Sequence, residues 1–126
     1  MNGKVARIAC VLLLSVFAAC APDDGAESDV RDASGLIIQY GFSPDEQSQA
    51  DSIAYCAGLA GGWRLPTEDE SLLVYDNRAH LEPSTAWFWS SSHVMGSPSL
   101  GWGVYFPRGT RSFSNINFAS RARCVR

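Results

Sequence analysis

The spacing of apolar positions changes several times along the chain. Ile8 to Phe17 is an almost unbroken apolar run, interrupted only by Ser15. From Ala21 to Ser34 the periodicity disappears into Asp, Glu, Ala, Ser and Gly, the composition of a flexible acidic tether. Leu36-Ile37-Ile38-Gln39-Tyr40 is short, apolar and rich in β-branched residues, which predicts a strand. Helical spacing follows. Ser43-Pro44-Asp45-Glu46 offers a capping box with Pro at the first helical position. Ala50, Ile53, Ala54 and Ala57 then recur as one buried face, with Cys56 beside it, until Gly61-Gly62 ends the helix. After the extended step Trp63-Arg64-Leu65-Pro66, Thr67 and Glu70 form a second capping box. It opens a short helix carrying Leu72, Leu73 and Tyr75.

Beyond the polar stretch Asp76 to Ser84 the period drops to two. Trp87-Phe88-Trp89-Ser90 reads as a buried strand, with Ser90-Ser91-Ser92 as its polar end. Trp102, Val104 and Phe106 alternate along a second strand. Pro107-Arg108-Gly109-Thr110 turns the chain into a third, Arg111 to Ser114. Phe118 to Arg126 reads as a last strand, with Ala122 and Cys124 on one face and Arg121, Arg123 and Val125 on the other. Helices first and strands last predict an α+β domain, with two helices packed on one twisted antiparallel sheet.

The first residues change where this domain is placed. Lys4 and Arg7 precede the apolar run, and Phe17-Ala18-Ala19-Cys20 closes it, as in a secretory signal. The run is too short for a bilayer core of roughly 30 Å. Phe17-Ala18-Ala19-Cys20 looks like the cleavage box of bacterial lipoproteins, with Phe17 where Leu is usual. This resemblance implies that Cys20 bears lipid and that the protein sits in the envelope, at the outer membrane of a Gram-negative cell. Ordinary signal cleavage is the rival, and Pro22 disfavours a cut after Ala21. The expected organisation is a signal peptide over 1–19, a lipidated Cys and tether over 20–34, and one domain over 35–126. Cysteine usage agrees with export. Cys10 leaves with the signal and Cys20 takes lipid, which leaves Cys56 and Cys124 as one even pair. Two Cys without neighbouring ligands do not make a zinc site.

Charge narrows the partners. A formal net charge of −3 argues against a general nucleic-acid binder. The acidic residues of the mature chain all lie between Asp23 and Glu82, whereas Arg108, Arg111, Arg121, Arg123 and Arg126 follow with no acid after Glu82. An arginine strip for polyanions, carboxylates or phosphates is one reading. A solvated sheet face, or pairing with the acidic first half, is the other. His80 and His93 are single loop histidines without a Ser/Asp partner at a recognisable spacing, so no catalytic group is expected.

The ordered series Ala54-Tyr55-Cys56, Gly61-Gly62-Trp63-Arg64-Leu65-Pro66-Thr67-Glu68-Asp69-Glu70, Trp87-Phe88-Trp89-Ser90-Ser91-Ser92, Trp102-Gly103-Val104-Tyr105-Phe106-Pro107-Arg108-Gly109 and Arg123-Cys124-Val125-Arg126 carries a resemblance. It resembles the bacterial domain family found at the C-terminus of the collagen-like adhesin Lcl, which is similar in fold to C-type lectins. The resemblance covers Gly35 to Arg126. Its Trp-Arg-Leu-Pro-Thr step is shared with relatives of the formylglycine-generating enzyme. The resemblance implies a C-type-lectin-like fold, packing roles for Trp63 and Leu65, and Trp89 at the centre of the sheet. It also matches Cys56 and Cys124 to the long-range disulfide of such domains.

Lectin-like domains that bind sugar through calcium use Glu-Pro-Asn or Gln-Pro-Asp and a later Trp-Asn-Asp. Here Glu82-Pro83-Ser84 lies on the wrong side of the Trp87 strand, and no acid follows Glu82 to supply hard oxygen ligands. No metal or cofactor is expected. The function expected is an adhesion or binding module for a glycan, a polyanion or an envelope protein, held to the membrane through lipid. Ligand contacts are expected on the loops over His93–Leu100 and near Arg108–Asn117, with Trp102, Tyr105, Arg108, Arg111, Arg121 and Arg123 as the candidate residues. The alternative is a structural or assembly lipoprotein that contacts another envelope protein through its aromatic strands.

Overall fold

The computed structural model describes residues 28–126. The signal peptide expected over 1–19, the expected lipid-bearing Cys20 and the first part of the expected tether lie outside the described residues. No helix among the described residues is long and apolar enough to cross a membrane.

Among the described residues the architecture is α+β, with two α-helices and two antiparallel sheets. Strands β1 (Val30–Arg31) and β2 (Ile37–Ile38) form a small hairpin. The fold therefore starts earlier than the Gly35 boundary expected from composition. The physical reason is local. The Asp32 carboxylate accepts from Ser34 N–H, Ser34 Oγ–H and Leu36 N–H, and Gly35 turns at φ +96°. Those bonds hold the Asp32 carboxyl below its usual value, the Ser34 hydroxyl contributing most. Val30 then reaches the core.

Helix α1 spans Gln49–Ala57. It starts later than predicted. Its N-cap is Ser48, whose hydroxyl accepts from Asp51 N–H, and Gly58 is its C-cap. Ser43 is buried and serves another end: its hydroxyl accepts from Ala122 N–H and donates to Asp45 O. The buried face is also a different one. Gln49, Ser52 and Cys56 point inward, while Ala50, Ile53, Ala54 and Ala57 are exposed, Ile53 at 41%. The cause is a pair of specific tethers that outweigh modest apolar area. The Gln49 amide donates to the carbonyls of Ser90 and Ser92, and Cys56 is covalently bound at the other end of the same face.

Helix α2 spans Glu68–Asp76 and has the expected capping box of Thr67 and Glu70. The Glu70 carboxylate also takes both Arg64 Nη1 (2.7 Å) and Nη2 (2.9 Å). This fork holds the Glu70 carboxyl down to about 2 against the opposing effect of burial. Arg64 keeps 49% of its side chain in water, so the pair is screened and contributes only about 1 kcal/mol. Glu70→Gln is expected to lose that amount at pH 7. A depressed carboxyl stabilises above its unfolded value of 4.5 and loses the effect as pH falls towards 2. Urea titrations of wild type and variant should therefore differ at pH 7 and converge near pH 2. A constant gap would contradict this.

Strands β3 (Trp87–Val94), β4 (Ser97–Tyr105) and β5 (Thr110–Asn115) form the main sheet in that order. The β3–β4 hairpin is longer than predicted, so the His93–Leu100 loop is largely strand. Met95-Gly96 makes a tight turn, with Gly96 at φ +78°, closed by the Val94–Ser97 pair. The Ser-rich stretch stays in the strand because its polar atoms find partners, including Ser90 Oγ–H to Trp102 O.

Adjacent residues of a strand point to opposite faces, and Phe88 and Trp89 seed two cores. Phe88 joins Val74 of α2 with Ile38, Leu81, Val104, Phe106 and Val125. Trp89 joins Cys56 of α1 with Leu65, Ala122 and Cys124. The two helices thus pack on opposite faces of β3. Gly101 and Gly103 allow Trp89 and Trp87 to lie directly on β4, where a Cβ would collide with either ring.

The final segment is extended as predicted, but it pairs through isolated bridges rather than a ladder. Its partners are four separate pieces: Ile38 and Arg64 with Val125, Gln47 with Ser120, and Phe88 with Arg121. The predicted alternation holds, with both faces buried. Ala122 and Cys124 face the Trp89 core, and Val125 faces the Phe88 core. The Cys56–Cys124 disulfide, with Cα atoms 5.5 Å apart, joins α1 to this segment.

Candidate functional site

The main sheet leaves one face incompletely covered. Val104 pairs with Arg111, Trp102 with Phe113 and Leu100 with Asn115, so these side chains share the face on which α2 packs. Val104 is buried. Two residues further along, Trp102 is half-buried and Phe113 is 52% exposed. The two rings meet edge to face with centroids 5.3 Å apart, a geometry that satisfies the aromatic quadrupoles.

Charge is placed beside this aromatic pair. The Arg111 guanidinium lies over the Trp102 ring, 5.2 Å from its centroid. Its Nη1 is 2.6 Å from Oε2 of Glu68, the first residue of α2. Glu68 N–H in turn donates to Ser92 Oγ, which ties this helix end to β3. The result is a surface platform of two aromatic rings flanked by a guanidinium and a carboxylate that already neutralise each other. Such a surface offers an apolar face for stacking and both donors and acceptors at its rim.

The residues singled out from sequence do not form one strip. Trp102 and Arg111 come together on this face, whereas Arg121 and Arg123 lie against Phe42. Tyr105 is exposed, but it stands three positions from Trp102 and so on the opposite face. Arg108 is exposed in the β4–β5 turn. Arg121 is half-buried, and its Nη1 donates to the carbonyls of Ser43 and Pro44. Arg123 is only 1% exposed. Its Nε donates to Gly41 O (2.9 Å) and its Nη2 to Glu82 O (2.7 Å), while Phe42, Phe88 and Phe106 surround the guanidinium. A solvated Arg121/Arg123 face was one expectation. It fails because Arg123 is interior, while Arg121 is half-buried and held on Ser43 and Pro44.

Phe113 and Glu68 were not among the sequence candidates. Phe113 alternates correctly within Arg111–Ser114, but its meeting with Trp102 depends on the register set by the turn from Tyr105 to Thr110. Glu68 is brought there by the α2 cap. Among the described residues, no three His, Cys, Asp or Glu side chains stand together as a metal site. His80 and His93 are both exposed and far apart in the chain.

A scan of protein-family models finds none that matches this chain, and a search of curated proteins finds no match either.

Proposed function

We propose that this protein is an exported, lipid-anchored envelope protein whose C-type-lectin-like domain binds a glycan, without calcium, on the platform of Trp102 and Phe113. The observation that carries the reading is the exposed edge-to-face pair beside the Arg111–Glu68 ion pair. A sugar ring presents an apolar face for the aromatics and hydroxyls for the charged rim. Arg111 is already matched in charge, which favours a neutral or weakly charged glycan over a polyanion. Export is supported by the N-terminal pattern of Lys4, Arg7 and the apolar run, and by the bonded cysteine pair. The anchor is Cys20, at the outer membrane of a Gram-negative envelope. The role is binding rather than catalysis.

The anchor has its own test. Cells fed a palmitate analogue should label the wild-type protein and not Cys20→Ser. An unlabelled, freely soluble wild type would reject the anchor while leaving the binding surface untouched.

A second reading has one observation in its favour. Among the described residues β5 is an edge strand, paired only with β4, and Phe113 projects from it. An unpaired strand edge is a template for another chain. On this reading the domain assembles with an envelope protein, and pull-down from solubilised membranes recovers one dominant partner whether or not glycans are present.

A further inference from the structure

A groove of about 610 Å³ lies away from the aromatic platform, where the chain approaches β3. Phe42 and Pro83 give it apolar walls, Ser84 and Thr85 a polar side, and Arg121 and Glu46 its charges. Three features make it more than a dent.

The first is Arg121. A guanidinium has five N–H donors. Nη1 is spent on Ser43 O and Pro44 O, which fixes the group in place beside the Phe42 ring, 5.9 Å from its centroid. Among the described residues, Nε and Nη2 donate to no protein acceptor. A fixed guanidinium with unspent donors matches a carboxylate.

The second is charge balance. Glu46 is exposed in the same groove, and among the described residues neither it nor Arg121 takes part in a salt bridge. One cation and one anion held apart suit a ligand that carries both charges. A dianion such as phosphate would meet Arg121 and be repelled by Glu46.

The third is backbone. Among the described residues, the N–H groups of Ser84 and Thr85 donate to no protein acceptor, although this segment runs directly into β3. The Ser84 hydroxyl is occupied in accepting from Ala86 N–H. Unpaired loop amides beside a fixed guanidinium are suited to the backbone carbonyls of a short peptide.

We propose that this groove binds a short zwitterionic peptide, its C-terminal carboxylate on Arg121, its ammonium towards Glu46 and its backbone along Ser84–Thr85. The site is separate from the glycan platform and stands or falls independently of it.

The test titrates the full chain, in detergent, with trialanine, its C-terminal amide, its N-acetyl form and inorganic phosphate. Binding is read by calorimetry and by amide NMR shifts. Trialanine should bind and shift the Ser84 and Thr85 amides. Loss of a charge-assisted contact costs about tenfold or more in affinity, so the C-terminal amide should bind at least that much more weakly. The N-acetyl form should weaken less, and Glu46→Gln should remove the difference between free and acetylated peptide. Arg121→Gln should erase the preference for carboxylate over amide. Glu46 is exposed, so its variant keeps the test valid if Arg121→Gln misfolds. No binding of trialanine, equal binding of acid and amide, shifts confined to the Trp102 platform, or phosphate binding as tight as the peptide would each overturn the proposal.

Discussion

Cys56→Ala with Cys124→Ala is expected to lower the free energy of unfolding by about 4 kcal/mol, in keeping with the loop-closure cost of a long ring. The two cysteines are 68 positions apart, so their bond restricts most of the folded chain in the unfolded state. In the native state it fastens α1 to the final segment, and both cysteines are completely buried beside Trp89. Apart from the Gln49 hydrogen bonds at its start, the helix has little apolar packing to hold it, since Ala50, Ile53 and Ala54 face water. A small domain has a total stability of about 5–15 kcal/mol, so the loss is a large part of the whole. Urea denaturation followed by Trp fluorescence should show it, and reduction of the wild type should reproduce it. A change below about 1 kcal/mol would mean that the bond constrains neither state as described.

Arg123→Ala is the second large effect, with an expected loss of about 3–5 kcal/mol. Three costs combine. The carbonyls of Gly41 and Glu82 lose their donors, the aromatic box of Phe42, Phe88 and Phe106 loses its filling, and Gly41 is no longer tied to Glu82. Burial works against the wild-type residue. It pushes the guanidinium down to about 10, and among the described residues Nη1 is buried without a partner. The group is still charged at neutral pH in both states, so the loss should be flat from pH 6 to pH 8. Arg123→Lys should also destabilise, because one ammonium does not reproduce a planar fork to two carbonyls. If Arg123→Ala unfolded at the same urea concentration as wild type, the buried arginine would have no part in holding the core.

The elements most legible in the sequence were those with local signals. Thr67 and Glu70 define α2 through chemistry three residues apart, and the structure has both hydrogen bonds of that box. The aromatic alternation of Trp87–Trp89 and Trp102–Phe106 marks strands because period two is itself local. The start of α1 was misread for the same reason. Ser43-Pro44-Asp45-Glu46 has the right letters, yet Ser43 is bonded to Ala122, a partner 79 residues away. The face of α1 was hidden because Gln49 and Cys56 are held by distant groups, and apolar spacing cannot register those.

The candidate site follows the same division. Trp102 and Arg111 could be named from residue type, but Phe113 and Glu68 join them only through strand register and the docking of α2. Arg123 shows the reverse. Its alternation with Ala122 and Cys124 was legible, and its burial was not, because nothing in the period tells whether a strand has one covered face or two.

The proposed glycan binding rests on the Trp102–Phe113 platform. The most direct measurement compares the wild-type full chain with Trp102→Ala and Phe113→Ala on one array of envelope and host glycans, in the presence of a calcium chelator. Both rings are partly exposed, so the variants should fold, with circular dichroism as the check. Wild type is expected to bind whether or not chelator is present, with at least a tenfold loss in each variant, the cost of roughly 1.4 kcal/mol of stacking. Wild-type binding that survives both substitutions, or no binding to any glycan, would contradict it.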